Sequence, residues 1–311
     1  MSAAYPVAWR VLDAVEKLVA AVWSPRWNRF LPLVFLMPAM LVVGLLVAGL
    51  ATMLDHSFRA LDPNTYRLAE TYSLTNYLEA FGSKVFIAVS WRSLLASVIV
   101  TVLTLLLALP YAYVMARTPS PALRRFLLIS LFLPFLIGQV VRAYGWLVLL
   151  GNEGLLNQAF GLVGLGPFKM IYTYPAVVFG LVQYMLPFAV LMLAPAMAAI
   201  PEEIELASES LGATWTETFR HVVVPMAKPG LVGAGIVVFT LTLTDFAMPA
   251  ILGGGTNDFI ANAIYDAFFR ISDAGLGSAL SILLVLLGST IVGVVFAFLG
   301  AGTLGFRSRT S

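Results

Sequence analysis

The sequence predicts an all-α membrane protein with six transmembrane helices and both termini inside. Three observations carry that reading. Hydrophobic residues fill 60% of the 311 positions and charged residues only 11%, whereas a soluble domain carries about 25% charge. Six stretches approach the ~20 apolar residues that cross a bilayer. Nearly all of the 18 basic and 16 acidic residues fall between those stretches. This composition speaks against a water-soluble enzyme and a disordered chain. The net charge, 18 − 16 = +2, is too small to point to a nucleic acid.

The first span, 31–54, is LPLVFLMPAMLVVGLLVAGLATML, free of charge throughout. The second, 93–116, runs SLLASVIVTVLTLLLALPYAYVMA up to Arg117. The third, 126–150, joins FLLISLFLPFLIG to QVVRAYGWLVLL. The fourth, 172–196, is YTYPAVVFGLVQYMLPFAVLMLAPA, and the fifth, 230–252, is GLVGAGIVVFTLTLTDFAMPAIL. The sixth, 276–300, holds Gly277, Ser281, Gly288, Ser289 and Gly293, small residues that let helices approach closely. Pro110, Pro134, Pro187 and Pro249 each remove a helical hydrogen bond. Only a packed bundle can compensate for that loss within a membrane.

Basic residues near span ends favour the cytoplasm. With the N-terminus inside, 11 of the 18 Lys and Arg fall on that side, including Arg117, Arg124 and Arg125 in one short loop. Residues 1–29 form a cytoplasmic N-terminal segment. Within it Val7, Val11, Val15, Leu18 and Val22 recur three and four apart, the pattern of an amphipathic surface helix. Residues 30–311 make up the six-helix domain. Its outer loop, 55–90, contains a short helix starting near Ser73 or Thr75, with Gly82 as its stop.

The most informative segment is IPEEIELASESLGATWTETFRHVVVPMAKPGLVG, residues 200–233, with five of the 16 acids. Pro201 followed by Glu202 and Glu203 starts a helix whose dipole favours acids in its first turn. Gly212 ends it or permits a bend. A second helix, about 214–222, starts at Thr214 with Glu217 three residues on, as in a capping box. Pro225 and Pro229 set the entry to the fifth span. The result is a helix–Gly–helix elbow on the cytoplasmic face, either an ordered connector or a docking knob.

This elbow resembles the cytoplasmic motif of ABC importer permease subunits: E-A-A, three residues, G, nine residues, I, one residue, L-P. Gly212 is followed by nine residues and then by VVVP, 222–225. Ala207 matches the first alanine, Ser208 stands for the second, Leu206 replaces the glutamate, and Glu205 comes one residue early. LPFLIGQVVRAYGWLVLLGNEGLLNQ and FTLTLTDFAMPAILGGG look like the polyamine (spermidine/putrescine) type of that family. The resemblance implies a type I ABC importer permease fold in a bacterial inner membrane. It also implies a coupling-helix loop at about 200–229, with Glu203, Glu205, Leu206, Ala207, Ser208, Leu211, Gly212, Ala213 and Pro225 as the ATPase-coupling residues. The implied partners are an ATP-binding cassette ATPase dimer, a second permease subunit as heterodimer, an extracytoplasmic solute-binding protein and membrane lipid. ATP and Mg would be bound by the ATPase, leaving no cofactor in this chain. In keeping with that, the sequence has no G-x-x-x-x-G-K-[ST] phosphate loop.

Ionisable groups inside spans are costly and face a cavity or each other. Asp245 in span five and Arg142 in span three are the clear cases. One reading has them stabilising the bundle, by pairing with each other or with backbone. The other places them on a translocation path with Gln139, Tyr144, Trp146, Gln183, Tyr184, Thr242 and Thr244. There a carboxylate and aromatic faces suit a cationic amine, Arg142 suits an acidic group, and the two together suit a zwitterion. An ion-coupled secondary transporter is the alternative; it predicts uptake by the chain alone. An intramembrane enzyme lacks its catalytic cluster, with no Cys and only two His in the chain.

Overall fold

The computed structural model describes residues 31–300 and Asp13. The expected N-terminal amphipathic helix, apart from Asp13, lies outside the described residues, as do Arg307 and Arg309. The chain divides into two compact units, 1–55 and 56–311. In the first, α1 (Leu31–Ser57) begins, and every side chain from Phe35 to Leu50 is exposed. An apolar helix exposed all round suits lipid rather than water.

The second unit opens with a hairpin of β1 (Arg59–Asp62) and β2 (Arg67–Tyr72), paired antiparallel. Its turn is closed by Asp62, whose carboxylate accepts from the Asn64 amide and the Thr65 hydroxyl at 2.9 Å each. Those donors hold the Asp62 carboxyl below its usual range. The sequence shows the following α2 (Thr75–Gly82) but not the hairpin, because strands this short carry too little alternation to read.

α3 (Lys84–Arg117) starts well before the expected Ser93 and runs 34 residues, about 51 Å at 1.5 Å each. It is longer than the ~30 Å hydrocarbon layer. Its buried positions include Ser93, Ala96, Ser97, Val100, Thr104, Ala108 and Ala112. That three-and-four stripe of mostly small residues packs against α7 (Tyr174–Ala198) and α10 (Lys228–Leu243), and the three helices form the core.

The third and fifth spans differ from expectation. The third is two helices, α4 (Pro121–Leu136) and α5 (Gln139–Leu150). The segment Gln139–Leu162 lies at 96° to α4. Ile137 and Gly138 adopt extended backbone after Pro134, so the helix cannot continue. The fifth breaks after α10 at Thr244 and resumes as α11 (Ala247–Leu252). Among the described residues four helices are long and apolar enough to cross a membrane, and six spans result if two bent pairs, α4 with Gln139–Leu162 and Trp215–Met226 with α10, each count as one.

Between α5 and α7, α6 (Leu155–Leu162) carries the buried Asn157. Its amide donates to Gly151 O and Phe168 O at 3.0 Å each and accepts from the Phe168 amide at 2.8 Å. Asn157→Ala strands those groups at a cost of about 1–3 kcal/mol. Faster tryptic cleavage after the exposed Lys169 is the expected result, and an unchanged rate would exclude the clasp.

α12 (Ile260–Tyr265) and α13 (Ala274–Val295) complete the unit. The expected packing of small residues in the sixth span holds only in part. Gly277 lies against Phe268 and Gly288 faces Leu243, but Gly293 has nothing within 4 Å among the described residues.

Candidate functional site

Two constellations emerge. The first is the elbow. α8 (Glu202–Ser210) follows Pro201 and carries Glu202, Glu203 and Glu205 in its first turn. Gly212 turns the chain at φ +90°, a left-handed conformation that suits glycine. α9 (Trp215–Thr218) carries the expected capping box. The Thr214 amide and hydroxyl donate to Glu217 at 2.7 and 2.8 Å, and they hold the Glu217 carboxyl below its usual range. Beyond α9 the expected helix widens into a π turn, Phe219–Val223. Pro225 follows, exposed, in a short turn, Val224–Met226. The segment Trp215–Met226 lies at 70° to α10.

The elbow is internally stapled. Ser208 and Thr218 hydroxyls lie 2.9 Å apart, and the Ala213 amide donates to Ser208 O at 3.2 Å. Outward it presents Glu203, Ala207 and Gly212 together with large apolar side chains: Leu206 is 63%, Leu211 89% and Trp215 54% exposed.

Glu205 does not face outward. It is 8% exposed and bound to the end of α3. Arg117 Nε and Nη2 donate to its Oε1 at 2.8 and 2.5 Å, and the Tyr113 hydroxyl donates to its Oε2 at 2.7 Å. Arg117 Nη2 also donates to Ile200 O at 2.7 Å. The Tyr113 ring meets Trp215 and Phe219 edge-on at 5.9 and 5.2 Å. In the sequence Arg117 stands out only as a basic residue at a span end. The available signal was its position four residues after Tyr113, which puts both on one helix face.

The second constellation lies at the two helix breaks, where α5 packs on α11. Gln139, in the first turn of α5, donates to Asp245 Oδ2. Asp245 Oδ1 accepts from the Met248 amide at 2.9 Å, satisfying a donor at the start of α11. Arg142 Nη2 donates to Ile137 O at 3.0 Å, satisfying a carbonyl freed at the other break. Asn262 donates to Phe246 O at 3.1 Å, a role nothing in its sequence position revealed. The two charges inside the spans thus serve as substitutes for missing helical bonds. They make no ion pair with each other among the described residues.

The structure also brings Tyr184 to this place, with the Arg142 guanidinium 5.3 Å from its ring. Trp146, one turn along α5, donates to Gln183 at 3.3 Å. Thr242 is fully buried and its carbonyl accepts from the Asp245 amide at 3.2 Å. Thr244 is exposed and bonds back to Thr240 O. Tyr144 stands apart, 55% exposed, two residues from Arg142 and so on the far face of α5. Arg142 Nε and Nη1 and Thr242 Oγ1 are buried with no hydrogen-bond partner among the described residues.

Residues 80–304 match the model of the binding-protein-dependent transport system inner membrane component. The chain is 31% identical over 252 residues to the inner membrane ABC transporter permease protein YdcU of Escherichia coli, covering 77% of this chain and 80% of YdcU. It is 31% identical over 226 residues to the spermidine/putrescine transport system permease protein PotB of Haemophilus influenzae, covering 72% and 78%. Among solved structures, a chain of the bacterial alginate ABC transporter in complex with an alginate-bound periplasmic protein superposes with a TM-score of 0.75. That match covers 88% of this chain and 96% of the other at 16% identity, so it shows a shared fold.

Proposed function

Because the chain belongs to the binding-protein-dependent transport system inner membrane component family, we propose that its elbow seats on a partner ATPase and that its solute is an amine. The chain is a permease subunit of an ABC importer in the inner membrane. In this reading an ATPase dimer supplies the energy, a solute-binding protein delivers the solute, and a second, different permease completes the path.

The exposed apolar tip of the elbow carries the coupling part of the proposal. Leu206, Leu211 and Trp215 project from a segment stapled at Ser208 and capped at Thr214. An apolar knob on an ordered support suits a groove better than water, since burying one Leu contributes about 1.5–3 kcal/mol. Leu211→Asp tests it. The expected result is loss of ATPase from the purified complex while the subunit still inserts. An ATPase that stays bound and drives wild-type uptake would defeat the reading.

The amine follows from spermidine and putrescine, the solutes of the PotB relatives' transport systems. A second reading, an amine that also bears an acidic group, rests on Arg142. Asp245 has both oxygens engaged, whereas Arg142 keeps two buried nitrogens unpartnered among the described residues. Competition of labelled putrescine uptake by unlabelled spermidine and by an amino acid separates the two.

A further inference from the structure

We propose that Arg117 is a positioning residue for transport, holding the elbow to α3 through Glu205 so that elbow and helix move as one body. The inference rests on the reading that the elbow seats on the ATPase.

Both arms of the elbow converge on a single turn of α3. α8 reaches it through Glu205, whose two oxygens take three hydrogen bonds from Tyr113 and Arg117. α9 and the π turn reach it through Trp215 and Phe219, stacked at 5.3 Å and both set edge-on to the Tyr113 ring. The same guanidinium takes Ile200 O, at the junction of α7 and the elbow. One arginine therefore touches the end of one core helix and the exit of another, and it grips the segment between them.

The type of contact matters. The Arg117 and Glu205 side chains are 15% and 10% exposed, so water does not lubricate the joint. Arg117 reaches one carboxylate oxygen with two nitrogens of a planar fork, while Tyr113 holds the other oxygen. That arrangement resists rotation and sliding in a way a lysine point charge does not. Burial of such a pair adds little net stability, because desolvation offsets the attraction. What it supplies is geometry. α3 in turn packs against α7 and α10, the core helices on either side of the elbow in sequence. A push on Leu211 or Trp215 is thereby delivered to the core instead of being absorbed by a hinge. Sequence alone had counted Glu205 among the residues meeting the ATPase; here that acid works inward.

The test uses the complete transporter with its ATPase and binding protein in liposomes, measuring ATP hydrolysed per labelled putrescine imported. Arg117→Met with Glu205→Leu replaces the fork by an apolar pair without stranding a charge. The expected result is an ATPase that still copurifies, an unchanged KM for the solute, and a rise of about tenfold in ATP spent per solute, within the range of site-to-site couplings. Tyr113→Phe removes one hydrogen bond and leaves the ion pair, so it should raise the ratio by less. An apolar-pair transporter with the wild-type ratio overturns the proposal. If that variant does not assemble, Tyr113→Phe decides alone, and an unchanged ratio there also overturns it. Failure of the coupling reading looks different: Leu211→Asp then keeps its ATPase whatever the Arg117 variants do.

Discussion

Gly230→Leu is expected to separate α10 from α7 and abolish transport. A Cβ at Gly230 would lie 2.4 Å from the Ala196 Cβ. Ala196 has no rotamer to move, so the two backbones must part. Leucine then adds three further carbons. Overpacking of this kind costs about 1–3 kcal/mol and occasionally more, and here the contact lies where α10 leaves the elbow. Small residues at such crossings are what allow membrane helices their close packing. The check is the unfolding midpoint of the purified subunit in detergent. Gly233→Ala is the internal control, because its Cβ would meet nothing within 4 Å, and alanine favours helix by about 1 kcal/mol. Equal midpoints for the two variants would refute the packing argument.

Glu205→Ala is expected to destabilise the subunit by about 3–5 kcal/mol, the range for removing one partner of a buried pair. The loss comes chiefly from Arg117, left charged and buried, and from the Tyr113 hydroxyl, left without its acceptor. Removing the charge as well should therefore recover stability: Arg117→Met in the Glu205→Ala background should be more stable than Glu205→Ala alone. Such non-additivity is the signature of residues in contact. Additive losses in a double-mutant cycle would show that the two side chains act independently. Glu203→Ala, on the exposed side of the same helix turn, should stay within about 0.5 kcal/mol of wild type.

Much of this was legible from residues alone because membranes leave few choices. A backbone with no water to bond must satisfy itself within a helix or a closed barrel, so uninterrupted apolar runs of about 20 residues mark helical spans regardless of their neighbours. The elbow was legible for a related reason. Pro201, Gly212 at φ +90° and the Thr214–Glu217 capping box act within a few residues of themselves. Local chemistry of that kind needs no tertiary partner.

Composition, apolar run length and local capping chemistry were thus enough to identify a multi-span membrane protein with a helix–Gly–helix elbow, since each acts over a distance the chain itself sets; the permease reading came from the resemblance of its motifs. The direction in which a polar side chain works was not readable in that way. Glu205 and Arg117 lie 88 residues apart and Gln139 and Asp245 lie 106 apart. Whether an acid faces a partner or braces its own helix, and whether Asp245 and Arg142 meet solute or mend broken backbone, depends on which distant donors the packing of α3, α5, α7 and α10 brings within 3 Å. Hydrogen bonds decide these roles, and their range is far shorter than the sequence separations they join.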